Sequence, residues 1–381
     1  MKRAYSVCLL ALALAACASR PPKAGLPPGA AVVPKHGHHG HKTAPAEAAP
    51  ETPQAQPAVD LAPVPFAQAR AAFVRDTAAR YGIDPSAIEA TLAQAKVLDS
   101  VVAAMSRPAE RVKPWSEYRP MFITQARIDE AAAAIDAHRD ELMRVQARTG
   151  VPAEVIVAII GVETSYGANT GRYKVLDALY TLAFNYPRSG DPAKAEREVR
   201  RELFFRDELA QLFALGKEEG FDVATLTGSY AGAMGLGQFM PSSYRQYAVD
   251  GDGDGKRNLF TDYDDAFASI ANYFVKKGGW QAGGEVVARA RLDDGREEFN
   301  PADWTPTWTL GDLAHRGYHA ADPVQAGARA TPVTLDGGDG KQYWLGFRNF
   351  YAITRYNNSK MYAMAVYQLS QAIAGKEIPA A

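Results

Sequence analysis

The chain of 381 residues has only two cysteines, Cys8 and Cys17, both among its first seventeen residues. If the leader there is cleaved off, Cys8 goes with it and no intramolecular disulfide can form. Stability then has to come from a large core or a bound metal. An excess of charge is missing too: 42 Lys and Arg stand against 43 Asp and Glu, a formal net charge of −1. No basic field draws this chain to a polyanion, so nucleic acid is not an expected partner. The apolar run near the start, Val7 to Ala16, falls short of the roughly 20 residues that span a bilayer. From Ala18 to Pro63 there is no aromatic residue, and such a stretch cannot bury enough to order itself.

What the first residues do contain is a basic start at Lys2-Arg3, the short apolar run, and Cys17. That is the pattern of an export signal. Leu14-Ala15-Ala16-Cys17 resembles the bacterial lipobox, after which cleavage leaves a lipidated Cys17; a plain secretory signal with an incidental cysteine is the alternative. Ala18-Ser19 lack the aspartate that holds lipoproteins at the inner membrane. By resemblance the expectation is an outer-membrane lipoprotein of a Gram-negative bacterium, facing the periplasm. The segment 18–63, rich in Pro, Ala and His, reads as a disordered spacer. Its His36, His38, His39 and His41 could grip a metal, although adventitious binding explains them as well.

The folded part reads as mainly α. Phe66, Ala69, Phe73, Thr77 and Tyr81 keep one helix face until Gly82. Asp84-Pro85 predicts a capped start for a short helix. A single long helix is expected from Thr124 to Arg148, and KPWSEYRPMF (113–122) as an aromatic loop. Pro152 opens the next helix, with others at Val175–Asn185, Ala193–Leu215 and Asp265–Lys277. From Val286 to Thr354 the runs VVARARL, ATPVTL and YWLGFRNFYAIT predict a small β-rich insertion. Helix returns at Lys360–Ile373.

The stretch AIIGVETSYG, Ala158 to Gly167, puts one carboxylate, Glu163, at the end of an apolar helix. Val155, Ile156, Val157, Ala158, Ile159, Ile160 and Val162 leave that helix almost no polar face, so it should be buried all round. Desolvation raises a carboxyl pKa and keeps the proton on near neutral pH, which is what a general acid needs. The bland reading is a Glu that swings to solvent or pairs with an arginine. SYAGAMGLGQFMPSSY, Ser229 to Tyr244, has glycines at 232, 235 and 237 for close backbone approach, then Gln238 and Phe239. It is no phosphate loop, for no Lys-Ser/Thr follows the glycines and the GxGxxG order is absent. Aromatic faces and amides suit a sugar chain, and RYNNSKMY (355–362) adds two tyrosines and an asparagine.

GVETSYG, SYAGAMGLGQFMPSSYRQYAVD, ANYF and YAITRYNNSKMYAMAVYQL, in this order and spacing, resemble the membrane-bound lytic murein transglycosylase B family, glycoside hydrolase family 103. The likeness runs from about Phe66 to Ile373. It implies an α+β fold with no organic cofactor: a helical domain at 64–150, a lysozyme-like core at 151–285, the β-rich insertion at 286–354, and a C-terminal helix at 355–381 returning to the core. It implies peptidoglycan glycan strands as substrate, Glu163 as acid/base, and Ser229, Gln238, Phe239, Tyr273, Tyr356, Asn357 and Tyr362 around the glycan, joined by Tyr118. One carboxyl suffices if the C6 hydroxyl of the cleaved sugar attacks its own C1, because effective molarities on the order of 10⁵ M replace an activated water. The ordinary glycosidase pair of acids is then not needed. A second acid folded into place would instead make a lysozyme-type hydrolase, and a wall-binding lipoprotein without activity is a third reading.

Asp250-Gly-Asp-Gly-Asp-Gly places carboxylates at loop positions one, three and five and Gly255 at the sharp sixth, as in an EF-hand calcium loop. The carbonyl of Lys256 is the expected seventh ligand. Position twelve departs, with Thr261 in place of the bidentate Glu. The family resemblance suggests closure by Asp265, or by Asp264, and hence a structural Ca²⁺; a plain Asp-Gly turn is the alternative.

Overall fold

The computed structural model describes residues 60–62, 64–106 and 113–378. The leader, Cys17 and the spacer histidines lie outside the described residues. Among the described residues the fold is mainly α, with a two-stranded ribbon and one five-stranded antiparallel sheet. Helix Phe66–Tyr81 buries Ala69, Phe73, Val74 and Thr77 and ends at Gly82 with φ 61°, a left-handed conformation that only glycine adopts without steric cost. Asp84 caps the helix Pro85–Leu92 by accepting the Ser86 N–H. An unforeseen helix, Asp99–Ser106, follows; with Val101 as its one buried residue, it leaves too short an apolar pattern to read.

Two expectations are corrected next. The aromatic segment is not a loop but a short helix, Trp115–Tyr118, continued by a 3-10 turn at Arg119–Met121. The single helix expected over 124–148 is broken at His138 into Gln125–Ala137 and Arg139–Thr149. His138 leaves helical geometry at φ −124°, ψ 27°, and its ring stacks on Tyr263 at 4.7 Å and meets Phe267 edge-on. A tertiary contact thus overrides the local preference, which is weak per residue.

Helix Ala153–Thr164 occupies the centre. Every residue from Val155 to Gly161 is buried, and each large aliphatic among them stabilises the fold by roughly 1.5–3 kcal/mol. The Gln146 side chain accepts the Ala153 N–H at 2.8 Å and satisfies the start of the helix. Around it pack Gln125–Ala137, Arg139–Thr149, Tyr263–Tyr273 and Lys360–Ile373. Helix Pro192–Glu219 runs longer than its apolar pattern suggests, because charged residues on its first turns are exposed while Phe205 to Gly216 carries the buried face. A π turn, Phe274–Gly278, extends Tyr263–Tyr273.

Strands β1 (Tyr173–Lys174) and β2 (Thr227–Gly228) form a two-stranded ribbon beside the centre. The larger sheet holds β3 (Val287–Leu292), β4 (Trp308–Thr309), β5 (Tyr318–Ala320), β6 (Arg329–Gly337) and β7 (Gly340–Gly346), in the order β4-β6-β7-β3-β5. Ala288, Leu313, Tyr318, Ala330, Leu345 and Phe347 give it a small core of its own. The run YWLGFRNFYAIT does not stay extended: only its start lies in β7, and the chain turns at Phe347 into helix Arg348–Tyr356. Its aromatic and β-branched residues favour a strand. Yet Phe350, Ala352, Ile353 and Tyr356 are buried against the π turn and the last helix, and that packing decides.

Candidate active site

Glu163 sits on the last turn of the central helix. Thr164 beside it donates its hydroxyl to Leu236 O at 3.0 Å and accepts the Gly167 N–H at 3.1 Å, tying the helix end to the glycine-rich segment. Ser165 and Tyr166 then take left-handed backbone angles, φ 49° and 54°, which cost non-glycine residues of order 1–3 kcal/mol each. Arg127 offsets that cost. Its guanidinium donates to Ser165 Oγ at 3.1 Å and to the carbonyls of Met121 and Phe122, while the Tyr166 hydroxyl donates to Arg127 O at 2.9 Å. The turn aims the acid into an open cleft.

The Glu163 side chain keeps part of its surface open to that cleft. Protein encloses the carboxyl on its other sides, and this burial pushes its pKa up to about 7. The Tyr362 hydroxyl, which donates to Oε1 at 2.6 Å, works in the opposite direction because it favours the ionised form. Tyr118, Tyr356 and Tyr362 feel the carboxylate in turn: burial, then its negative charge, raise each phenol above the usual range.

The opposite wall is the glycine-rich segment. Leu236 N–H donates to Leu259 O at 2.8 Å, and at Gly235, with φ 74°, a Cβ would run into that same carbonyl. Gln238 is held at φ 51°, and its amide nitrogen donates to Thr170 O and Gly235 O, both at 3.0 Å. Both amide protons are thus committed, which leaves the side-chain oxygen to accept from a ligand. Ser229 Oγ accepts from Ala231 and Ala233 N–H, so its own proton is the group left to donate. Tyr356 and Tyr273 donate to Gly237 O and Arg355 O at 2.6 Å each. Phe239 meets both rings edge-on at 5.9 and 5.6 Å. These rings form a fixed apolar wall.

Of the residues singled out in the sequence, Glu163, Ser229, Gln238, Phe239, Tyr273 and Tyr356 line one cleft. Tyr362 and Tyr118 are buried behind the acid. Asn357 is not among the lining residues; it follows the helix Arg348–Tyr356, and its carbonyl accepts the Ser359 N–H at 2.7 Å in the turn before the last helix. The cleft also includes Met105, Arg201, Phe205, Tyr230, Met240 and Ser243. Tyr230, Met240 and Ser243 lie within the motif already marked. Met105 and Phe205 come from helices whose sequence carries no signal of a site.

Away from the cleft, carboxylate oxygens of Asp250, Asp252 and Asp254 lie within 4.8 Å of one another and are exposed. Each accepts a backbone N–H of its own loop, among them Gly253 and Gly255 to Asp250 and Lys256 to Asp254. Asp265 does not join the three. It is buried, and its two oxygens accept the N–H groups of Gly251 and Asn258, stapling the two sides of the loop. Asp264 lies in the first turn of the helix Tyr263–Tyr273. Three converging hard oxygen donors fit Ca²⁺ better than a soft metal.

Residues 65–371 match the family model described as Transglycosylase SLT domain. The chain is 42% identical over 311 residues to the membrane-bound lytic murein transglycosylase B of Escherichia coli (strain K12), covering 79% of this chain and 81% of that protein. The crystal structure of soluble lytic transglycosylase SltB1 from Pseudomonas aeruginosa superposes with a TM-score of 0.72 at 46% identity, covering 80% of this chain and 98% of that one. The Escherichia coli lytic transglycosylase Slt35 in complex with calcium gives 0.70 at 41% identity, covering 80% and 92%. By sequence and by fold, then, this chain belongs to the transglycosylase SLT domain family, alongside the lytic murein transglycosylases B.

Proposed function

We propose that the cleft holds a glycan strand of peptidoglycan and that Glu163, acting alone, cleaves the MurNAc-GlcNAc β-1,4 bond to leave a 1,6-anhydromuramoyl end. The observation that carries this reading is the lone carboxyl: among the described residues lining the cleft, Glu163 is the only acid. A burial-raised pKa of about 7 leaves a large fraction of it protonated at neutral pH. Its proton passes to the bridging oxygen as C1–O4 breaks, and the muramoyl acetamido group stabilises the cationic centre. The resulting carboxylate then takes the proton of the C6 hydroxyl while O6 closes on C1, so the acid is regenerated without water. Tyr362 steadies the carboxylate between the two transfers. Ser229, Gln238, Phe239, Tyr273 and Tyr356 supply the sugar contacts, with Tyr118 and Asn357 supporting them.

The loop Asp250–Lys256 is read as a structural Ca²⁺ site, held by the three clustered carboxylates and the Lys256 carbonyl, with Asp265 closing the loop through its backbone bonds. The ion would neutralise three adjacent negative charges. The membrane-bound relative and the leader pattern support a lipid anchor on Cys17 and a periplasmic outlook from the outer membrane. The helical portion 64–150, the core 151–285 and the β-rich insertion from 286 are the working divisions of the chain, with the insertion ending at Phe347, where helices Arg348–Tyr356 and Lys360–Ile373 return to the core. Mass spectrometry of products released from purified sacculi tests the reaction, run beside Glu163→Gln. Anhydromuramoyl ends that vanish in the variant are expected; reducing-end muramic acid would instead establish a hydrolase, and undiminished cleavage by the variant would remove Glu163 from its role.

A further inference from the structure

Glu208 is a buried acid, 2% exposed, that the reaction does not use. It lies on the helix Pro192–Glu219, one turn beyond Phe205, which lines the cleft. Its Oε2 accepts the Ser242 N–H at 2.9 Å and its Oε1 accepts the Ser242 hydroxyl at 2.6 Å. Ser242 stands between the cleft-lining residues Met240 and Ser243, and the same segment begins with Gln238 and Phe239. One carboxyl therefore grips the middle of the cleft wall through two bonds.

Among the described residues no cation bonds to this carboxyl. Arg245, on the short helix Pro241–Tyr247 that packs against it, is committed to Glu218 and Gln211. Arg80, on the helix Phe66–Tyr81, is committed to Asp207. Arg206 on its own helix pairs with Glu202 and Ala183 O. A buried acid without a cation is costly, and an apolar side chain of the same volume would pack at lower cost. What an apolar residue cannot do is fix the position of Ser242.

We propose that Glu208 is a positioning residue for glycan binding: by accepting both the N–H and the hydroxyl of Ser242 it sets the wall from Gln238 to Ser243 against the helix that carries Phe205. It touches no substrate and acts through the wall. The proposal rests on the reading of the cleft as the glycan site.

Steady-state kinetics on a soluble GlcNAc-MurNAc tetrasaccharide test it, with thermal melts of each variant. Glu208→Met removes both acceptors at similar volume; KM should rise about tenfold or more with kcat within about threefold. Glu208→Gln keeps an acceptor for the Ser242 N–H and a donor for its Oγ, and should restore KM to within about threefold of the parent. Ser242→Ala loses one bond and should fall between. A Met variant with a lowered Tm but unchanged KM would overturn the proposal, as would a Gln variant no better than Met. Should the Met variant not fold, an unchanged KM in Ser242→Ala overturns it and a raised one supports it. Failure of the glycan reading itself would show separately, as no anhydro product from the unmodified protein.

Discussion

The Tyr362 hydroxyl donates to Oε1 of Glu163 at 2.6 Å, against the effect of burial on the same carboxyl. Burial raises the acid and the hydroxyl lowers it, and the outcome is a group poised near 7 that can give and then receive a proton.

Tyr362→Phe removes the lowering partner. The Glu163 pKa should rise, so the basic limb of the pH–rate profile moves to higher pH. Maximal kcat should fall by about tenfold, because a carboxyl of higher pKa gives up its proton to the bridging oxygen less readily and leaves a carboxylate without its hydrogen-bond donor. A basic limb that stays in place, measured on the tetrasaccharide, would count against Tyr362 as the partner that tunes the acid.

Glu208 makes stability depend on pH in the less usual direction. Its carboxyl is raised by burial to about 7 from the usual 4.5, so between those values the folded state binds more protons than the unfolded one. Stability should fall as pH rises through this window, by on the order of 3 kcal/mol. Melts of the parent and of Glu208→Gln at pH 5 and pH 7.5 check this: the variant should show the smaller difference.

Arg127 lies half-buried beneath the turn that follows the acid and bonds Ser165 Oγ. Arg127→Met leaves the left-handed pair Ser165-Tyr166 without that support. We expect kcat to drop by roughly one to two orders of magnitude with KM little changed, since about 1 Å of misplacement of a catalytic group costs on that scale. A kcat that stays near that of the parent, or a loss no larger than the fall in folded fraction seen by circular dichroism, would count against this role.

Gly161→Ala should destabilise in spite of the helix preference of alanine, worth about 1 kcal/mol. A Cβ at this position runs into the Tyr166 ring, hydroxyl included. Tyr166 would have to move and release its bond to Arg127 O. A melting temperature equal to or above that of the parent would show that the ring yields freely.

Calcium added to chelator-treated protein should raise Tm. Sites of the extracellular kind bind with Kd of about 10⁻⁴ to 10⁻³ M. At about 10 mM calcium the stabilisation is then about 1.4–2.7 kcal/mol. Asp252→Asn should remove most of it while leaving the initial rate at 25 °C unchanged.

Much of this molecule can be read from its residues because local signals and packing agree. The Glu163 helix announces itself through an apolar run closed by Ser165-Tyr166-Gly167, and the helix Pro85–Leu92 through Asp84-Pro85. The break at His138 cannot be read, because it comes from stacking on Tyr263, more than a hundred positions away. The turn at Phe347 hides for a similar reason, since strand-like residues take the helix their buried neighbours require. In the cleft, motif residues are legible, whereas Met105 and Phe205 enter only when helices distant in sequence meet. Glu208 looks like one more charge on a charged helix until Ser242 is seen bonded to it.

The carboxyl proposed as the acid, Glu163, and the hydroxyl that clasps it are separated by 199 positions along the polypeptide. Tyr356 and Tyr362 follow the whole five-stranded sheet, so the environment of residue 163 is complete only after the final helix has docked. A nascent or truncated form ending before residue 356 would therefore hold Glu163 without two of the tyrosines that surround it in the finished fold.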